Sequence, residues 1–252
     1  MKRLRHSDIG QLAVLSAVIV GVTVAVAPQS VPAPADGGLA AAGYTVPARE
    51  QSLRSALFIG DSYTAGKGSR ELSPACIAAT RLGLLCQLSA LPGTGYISGG
   101  PANRFTLDAY SGPSSSFSER IPRLAMVYHP DIVVLDGGRN DDFPPRKDVF
   151  KAMAATIADA RQAWPQAVIV FVRPRFLADP RDDLGFDDAF VTLLRRGPTH
   201  GVIVIDPIRT LAGNDTSALL GADGVHPNEK GETALASAMT AELSDQRILE
   251  TR

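Results

Sequence analysis

Four short runs of consecutive apolar residues constrain the fold of this 252-residue chain more than any other feature: Ala56-Leu57-Phe58-Ile59, Ile132-Val133-Val134-Leu135, Val168-Ile169-Val170-Phe171-Val172 and Val202-Ile203-Val204-Ile205. A strand with one wet face alternates apolar and polar residues, whereas a strand covered on both faces is apolar throughout, so these runs read as buried strands. Gly, Pro or Asp follows each within two residues. Between and after them lie segments with helical spacing, from Val149 to Trp164, from Asp187 to Arg196 and from Asn228 to Leu243. Alternating strands and helices predict an α/β fold, a three-layer α/β/α sandwich around a mostly parallel sheet. Ligands are then expected beyond the carboxyl ends of the strands. A weaker apolar stretch runs from Leu84 to Leu91, and Ser111 to Ser118 reads as a Gly/Pro/Ser-rich loop that could line or cover a site.

The amino terminus has a different character. Lys2, Arg3 and Arg5 precede an uncharged apolar segment from Ile9 to Ala27, about 19 residues long, close to the ~20 needed to cross a bilayer. Residues 1–27 are therefore expected to be a signal anchor or a signal peptide, with length favouring the anchor. Ala25-Val26-Ala27 imitates a cleavage site, which keeps secretion open. Basic residues ahead of the segment stay inside, which places the rest of the chain outside the cytoplasm. Residues 28–50 are rich in Pro, Ala and Gly and read as a tether; residues 51–252 read as one folded domain. Cys76 and Cys86, the only cysteines, would be free to pair in an exported compartment. These two cysteines and the scattered histidines His6, His129, His200 and His226 lack zinc-ligand spacing, so no metal or cofactor is expected. A formal charge of −1 leaves no basic stripe for phosphates, which argues against nucleic acid as a partner.

Four short motifs fall where the fold expects chemistry. Gly60-Asp61-Ser62 follows the first strand, a position that presents a hydroxyl beside backbone amides; alone, it is equally a helix cap. Asp223-Gly224-Val225-His226 lets a carboxylate reach one imidazole nitrogen while the other faces elsewhere, although a loop histidine beside a capping aspartate has the same pattern. Gly137-Gly138-Arg139-Asn140-Asp141 follows the strand at Ile132 and offers an amide side chain, Asn140, as an oxyanion donor; it is also ordinary turn chemistry. Pro92-Gly93-Thr94-Gly95-Tyr96 offers a close backbone approach at Gly93, and a plain loop fits as well.

Taken in this order, from Phe58 to His226, the four motifs resemble the blocks of the SGNH hydrolases, the GDSL-like esterase and lipase superfamily. The resemblance implies Ser62 as nucleophile, His226 as general base and Asp223 as its orienting acid. It implies an oxyanion hole from the Ser62 and Gly93 amides and the Asn140 side chain, with Gly95 the lesser choice for the second block. Tyr63 stands where many members carry leucine. The Gly-x-Ser-x-Gly elbow of the α/β-hydrolases is absent, since Thr64 stands where its second glycine would be. The implied function is an exported serine esterase acting on a small-molecule, lipid or glycan ester. The alternatives are an O-acyltransferase on envelope glycans or lipids using the same triad, or a non-catalytic acyl- or glycan-binding module.

Overall fold

A computed structural model describes residues 53–196, 199–246 and 248. The proposed signal segment and tether lie outside the described residues. Among the described residues no helix is long and apolar enough to cross a membrane.

The apolar runs form the sheet. Strands β1 (Ser55–Gly60), β2 (Leu85–Ala90), β5 (Ile132–Asp136), β6 (Val168–Val172) and β7 (Ile203–Ile205) lie in the order β2-β1-β5-β6-β7, and every pairing is parallel. A short antiparallel hairpin, β3 (Thr106–Asp108) with β4 (Gly112–Pro113), stands apart from it. Successive side chains of a strand point to opposite faces, and the core divides accordingly. Leu57, Ile59, Val133, Leu135, Ile169 and Phe171 pack beneath α3 (Phe117–Ala125), α4 (Arg146–Ala163) and α5 (Asp188–Leu194). Ala56, Phe58, Ile132, Val134, Val170 and Val172 pack against α2 (Pro74–Arg81) and α6 (Glu229–Asp245). This is the expected α/β/α sandwich. A single tight turn of helix, α1 (Ser62–Ala65), follows β1 directly.

The helix ends are fixed by local hydrogen bonds that satisfy otherwise orphaned amides. Asn228 accepts from Gly231 N at the start of α6 (3.0 Å), Asp187 from Phe190 N at α5 (2.8 Å) and Ser73 from Cys76 N at α2 (3.1 Å). Chain order and spatial order part company at β1, whose neighbours are β2 on one side and β5 on the other. Loops leaving β1 and β5 therefore diverge and leave a crevice at their carboxyl ends. Gly60-Asp61-Ser62 and the Gly137–Asp141 turn both open into it.

Candidate active site

Ser62 is the first residue of α1, and the side chain of Asp61 caps that helix by accepting from Tyr63 N (2.9 Å). The turn from strand to helix is so sharp that a Cβ on Gly60 would lie 1.9 Å from Thr64 Oγ1, so only glycine fits. Thr64 in turn donates to Asp136 Oδ2 (2.8 Å), tying α1 to the end of β5.

His226 arrives from the loop before α6. Its Nε2 lies 2.9 Å from Ser62 Oγ and its Nδ1 lies 2.8 Å from Asp223 Oδ2. The other carboxylate oxygen, Oδ1, accepts from Val225 N (3.0 Å) and His226 N (2.9 Å). These two backbone donors, then the imidazole, hold the Asp223 carboxyl well below the usual range, so it is ionised at neutral pH. An ionised Asp223 fixes the Nδ1–H tautomer and leaves the Nε2 lone pair facing the serine proton. The pair is open to water, with 38% of the His226 side chain and 49% of the Asp223 side chain exposed.

Asn140 reaches the same place from the end of β5. Its Nδ2 donates to Thr94 O (3.0 Å), which commits one of its two amide protons to the loop after β2 and leaves the second for a ligand. That loop is held by Asp141, whose fully buried carboxylate accepts from Tyr96 N (2.8 Å), Ile97 N (3.1 Å) and Ser98 N (2.7 Å). The chain passes so close that a Cβ on Gly95 would lie 2.4 Å from Asp141 Oδ2, and Gly95 N is spent on Ser98 O (3.0 Å). Gly93 is thus the glycine that faces the site. Ser62, Gly93, Asn140 and His226 line one cleft of about 390 Å³.

Several contacts important here have no signal in the sequence. Beneath α1, Arg139 is buried between Asp136 (3.0 Å) and Asp61 (3.3 Å) and donates from Nε to Arg175 O (2.8 Å). Burial pushes the Asp61 carboxyl up to about 6; Arg139 opposes the rise and Asp136 adds to it. Arg120, also buried, reaches Gly60 O (3.2 Å), Ser89 O (2.6 Å) and Thr94 Oγ1 (3.2 Å), joining the ends of β1 and β2 to the Gly93 loop. The Ser111–Ser118 segment departs from its expected role. Ser111, Pro113 and Ser115 line a separate groove of about 610 Å³, because Ser114 is tied to Gly99 O (2.9 Å) and Phe105 O (2.7 Å). Asn103 and Phe105, on the incoming side of the hairpin, border the cleft in its place. Among the described residues no group of three or more His, Cys, Asp or Glu is placed to hold a metal ion.

The GDSL-like Lipase/Acylhydrolase family model matches residues 58–234. A GDSL lipase of Mycobacterium tuberculosis is 28% identical over 198 residues, covering 75% of this chain and 81% of that protein. The fold is similar to that of a psychrotrophic esterase from Pseudoalteromonas sp. (TM-score 0.57, 17% identity, 77% of this chain and 98% of that one). It is also similar to a family two carbohydrate esterase from Clostridium thermocellum in complex with cellohexaose (TM-score 0.56, 25% identity, 79% of this chain and 66% of that one).

Proposed function

We propose that this chain, which belongs to the GDSL-like lipase/acylhydrolase family and is an ester hydrolase of that type, works through Ser62, His226 and Asp223 on short acyl esters outside the cytoplasm. The observation that carries the reading is the continuous contact from Asp223 Oδ2 through the imidazole to Ser62 Oγ, at 2.8 and 2.9 Å. His226 Nε2 takes the hydroxyl proton as Oγ bonds to the ester carbon, and the carbonyl electron pair moves onto oxygen. Asn140 and the amides of Ser62 and Gly93 hold that oxyanion. Collapse expels the alcohol, which takes the proton back from Nε2 and leaves an acyl-serine. Water then attacks, giving its proton to Nε2, and the acid departs as Ser62 recovers its hydrogen.

The cleft supports a short acyl group on a polar alcohol. It is open to water, and the polar side chains of Asn103 and Asp142 border it beside the exposed rings of Phe105 (37%) and Phe143 (50%). Rings flanked by amide and carboxylate groups suit a sugar, whose C–H face stacks while its hydroxyls bond. The esterase from Clostridium thermocellum was solved with cellohexaose, which agrees with a glycan ester here. Export is supported by the basic and then apolar amino terminus and by the Cys76–Cys86 disulfide, a bond that persists in oxidising compartments. Transfer of the acyl group to a sugar hydroxyl needs the same triad, and the exposed His226 admits either acceptor.

The test is turnover of p-nitrophenyl esters from acetate to long chains by the full chain, beside Ser62→Ala and His226→Ala. Acetate should be preferred, and each substitution should lower kcat by at least ~10³-fold. Turnover surviving in Ser62→Ala would remove the serine from the mechanism.

A further inference from the structure

We propose that Tyr63 is a positioning residue, a latch that holds the loop carrying Asp223 and His226 in register with the helix carrying Ser62. The inference rests on the triad reading above and extends it to a residue that does not itself react. The loop needs a latch because its internal hydrogen bonds are local. Asp223 Oδ1 accepts from Val225 N and His226 N, Gly224 N donates to Gly221 O (3.0 Å), and Gly221 N to His226 O (2.7 Å). Those bonds shape residues 221–226 without attaching them to α1. The contact between His226 Nε2 and Ser62 Oγ does attach them, but it must break in every cycle, once the serine oxygen is acylated and the proton has gone to the leaving alcohol. A loop this exposed cannot rely on it for registry.

Tyr63 supplies a bond that chemistry leaves alone. Its hydroxyl donates to Val225 O (2.6 Å), the carbonyl immediately before His226, and accepts from Leu177 N (3.2 Å). Donor and acceptor capacity are both engaged, which fixes the direction of the O–H bond. The ring is equally confined: Tyr63 is 3% exposed, the Arg139 guanidinium lies 4.4 Å from the ring centroid, and Phe176 packs edge-on at 6.1 Å. Arg139 is itself clamped by Asp61 and Asp136. Rigidity thus passes from the buried ion cluster through Arg139 and the tyrosine ring to Val225 O. Leucine at this position would make neither hydrogen bond.

The hydroxyl is spent on protein partners, so removing it should disturb the reacting geometry and leave ground-state binding intact. In Tyr63→Phe we expect kcat for p-nitrophenyl acetate to fall about 10-fold with KM within about twofold. Tyr63→Leu should lose at least as much. Hydrogen–deuterium exchange gives the second readout: the amides of Val225 and His226 should exchange faster in Tyr63→Phe, while those of β1, β5 and β6 keep wild-type protection. Unchanged kcat in Tyr63→Phe would overturn the proposal. So would a fall in kcat with unchanged exchange at 221–226, or a loss of protection spread through the core strands. Ser62→Ala run in parallel separates the two readings: if it retains turnover, the triad itself has failed, whereas an inactive Ser62→Ala beside a fully active Tyr63→Phe rejects the latch alone.

Discussion

Asn140 divides its amide between two tasks, and that division sets what its loss should do. One proton holds Thr94 O at 3.0 Å and the other is free for an oxyanion. Asn140→Ala should therefore lower kcat by about 10²–10³-fold. Because one neutral hydrogen bond contributes only about 1 kcal/mol, the melting temperature should move little; a loss of activity that tracked unfolding would contradict the oxyanion role. Asp61 makes a second residue-scale prediction, with its sign set by burial. Its carboxyl sits at about 6 in the folded protein against an ordinary value near ~4, so between those pH values the native state binds more protons than the unfolded chain. Its contribution to stability is thus fully present below about pH 4 and is lost as pH rises to about 6. Urea unfolding followed across that window should show Asp61→Asn flattening this decline; an unaltered slope would show that Asp61 titrates normally. The two residues differ in how legible their partners were. Asn140, Ser62, Asp223 and His226 belong to short motifs at fixed offsets, and each could be located from sequence. The link from Asp61 to Arg139 spans 78 positions and has no local pattern, so the buried cluster emerged only with the fold.

At the scale of elements, legibility followed the hydrophobic pattern. Continuous apolar runs located β1, β5, β6 and β7 to within a residue or two. β2 gave the weak stretch at Leu84–Leu91 because it is an edge strand: Leu85 is exposed and the rest only half-buried. Helix α4 begins at Arg146, before the expected Val149, since Arg146, Lys147 and Asp148 form its exposed first turn and carry no apolar period. Helix α3 was not anticipated at all. Pro122 lies inside it and argues against a helix, yet the capping box of Ser116 with Glu119 and the burial of Phe117 and Ile121 prevail. The Cys76–Cys86 disulfide joins α2 to the edge strand β2 across a separation of 10 residues. In the loop-entropy account a bridge of that span contributes about 3 kcal/mol. A Cys76→Ser/Cys86→Ser double variant should accordingly melt several degrees lower and keep its esterase activity when folded. An unchanged melting temperature would mean that the bridge does not constrain the unfolded chain.

For the whole molecule, topology is what turns four distant motifs into one site. The order β2-β1-β5-β6-β7 sets the carboxyl ends of β1, β2 and β5 side by side, bringing Ser62, Gly93 and Asn140 to the crevice, and α6 delivers His226 from a loop 164 residues beyond the serine. The sandwich could be read from sequence, but the borders of the cleft could not. Phe105, Phe143 and Phe176 lie in loops whose paths depend on long-range ties such as Ser114 to Gly99 O. Acyl transfer through Ser62 is the central claim, and covalent capture tests it most directly. A fluorophosphonate should form one adduct per chain, on the peptide containing Ser62, at the rate at which esterase activity disappears. His226→Ala should slow that capture by at least ~10³-fold. Hydrolysis that persisted with Ser62 fully modified, or an adduct on a different residue, would contradict the assignment.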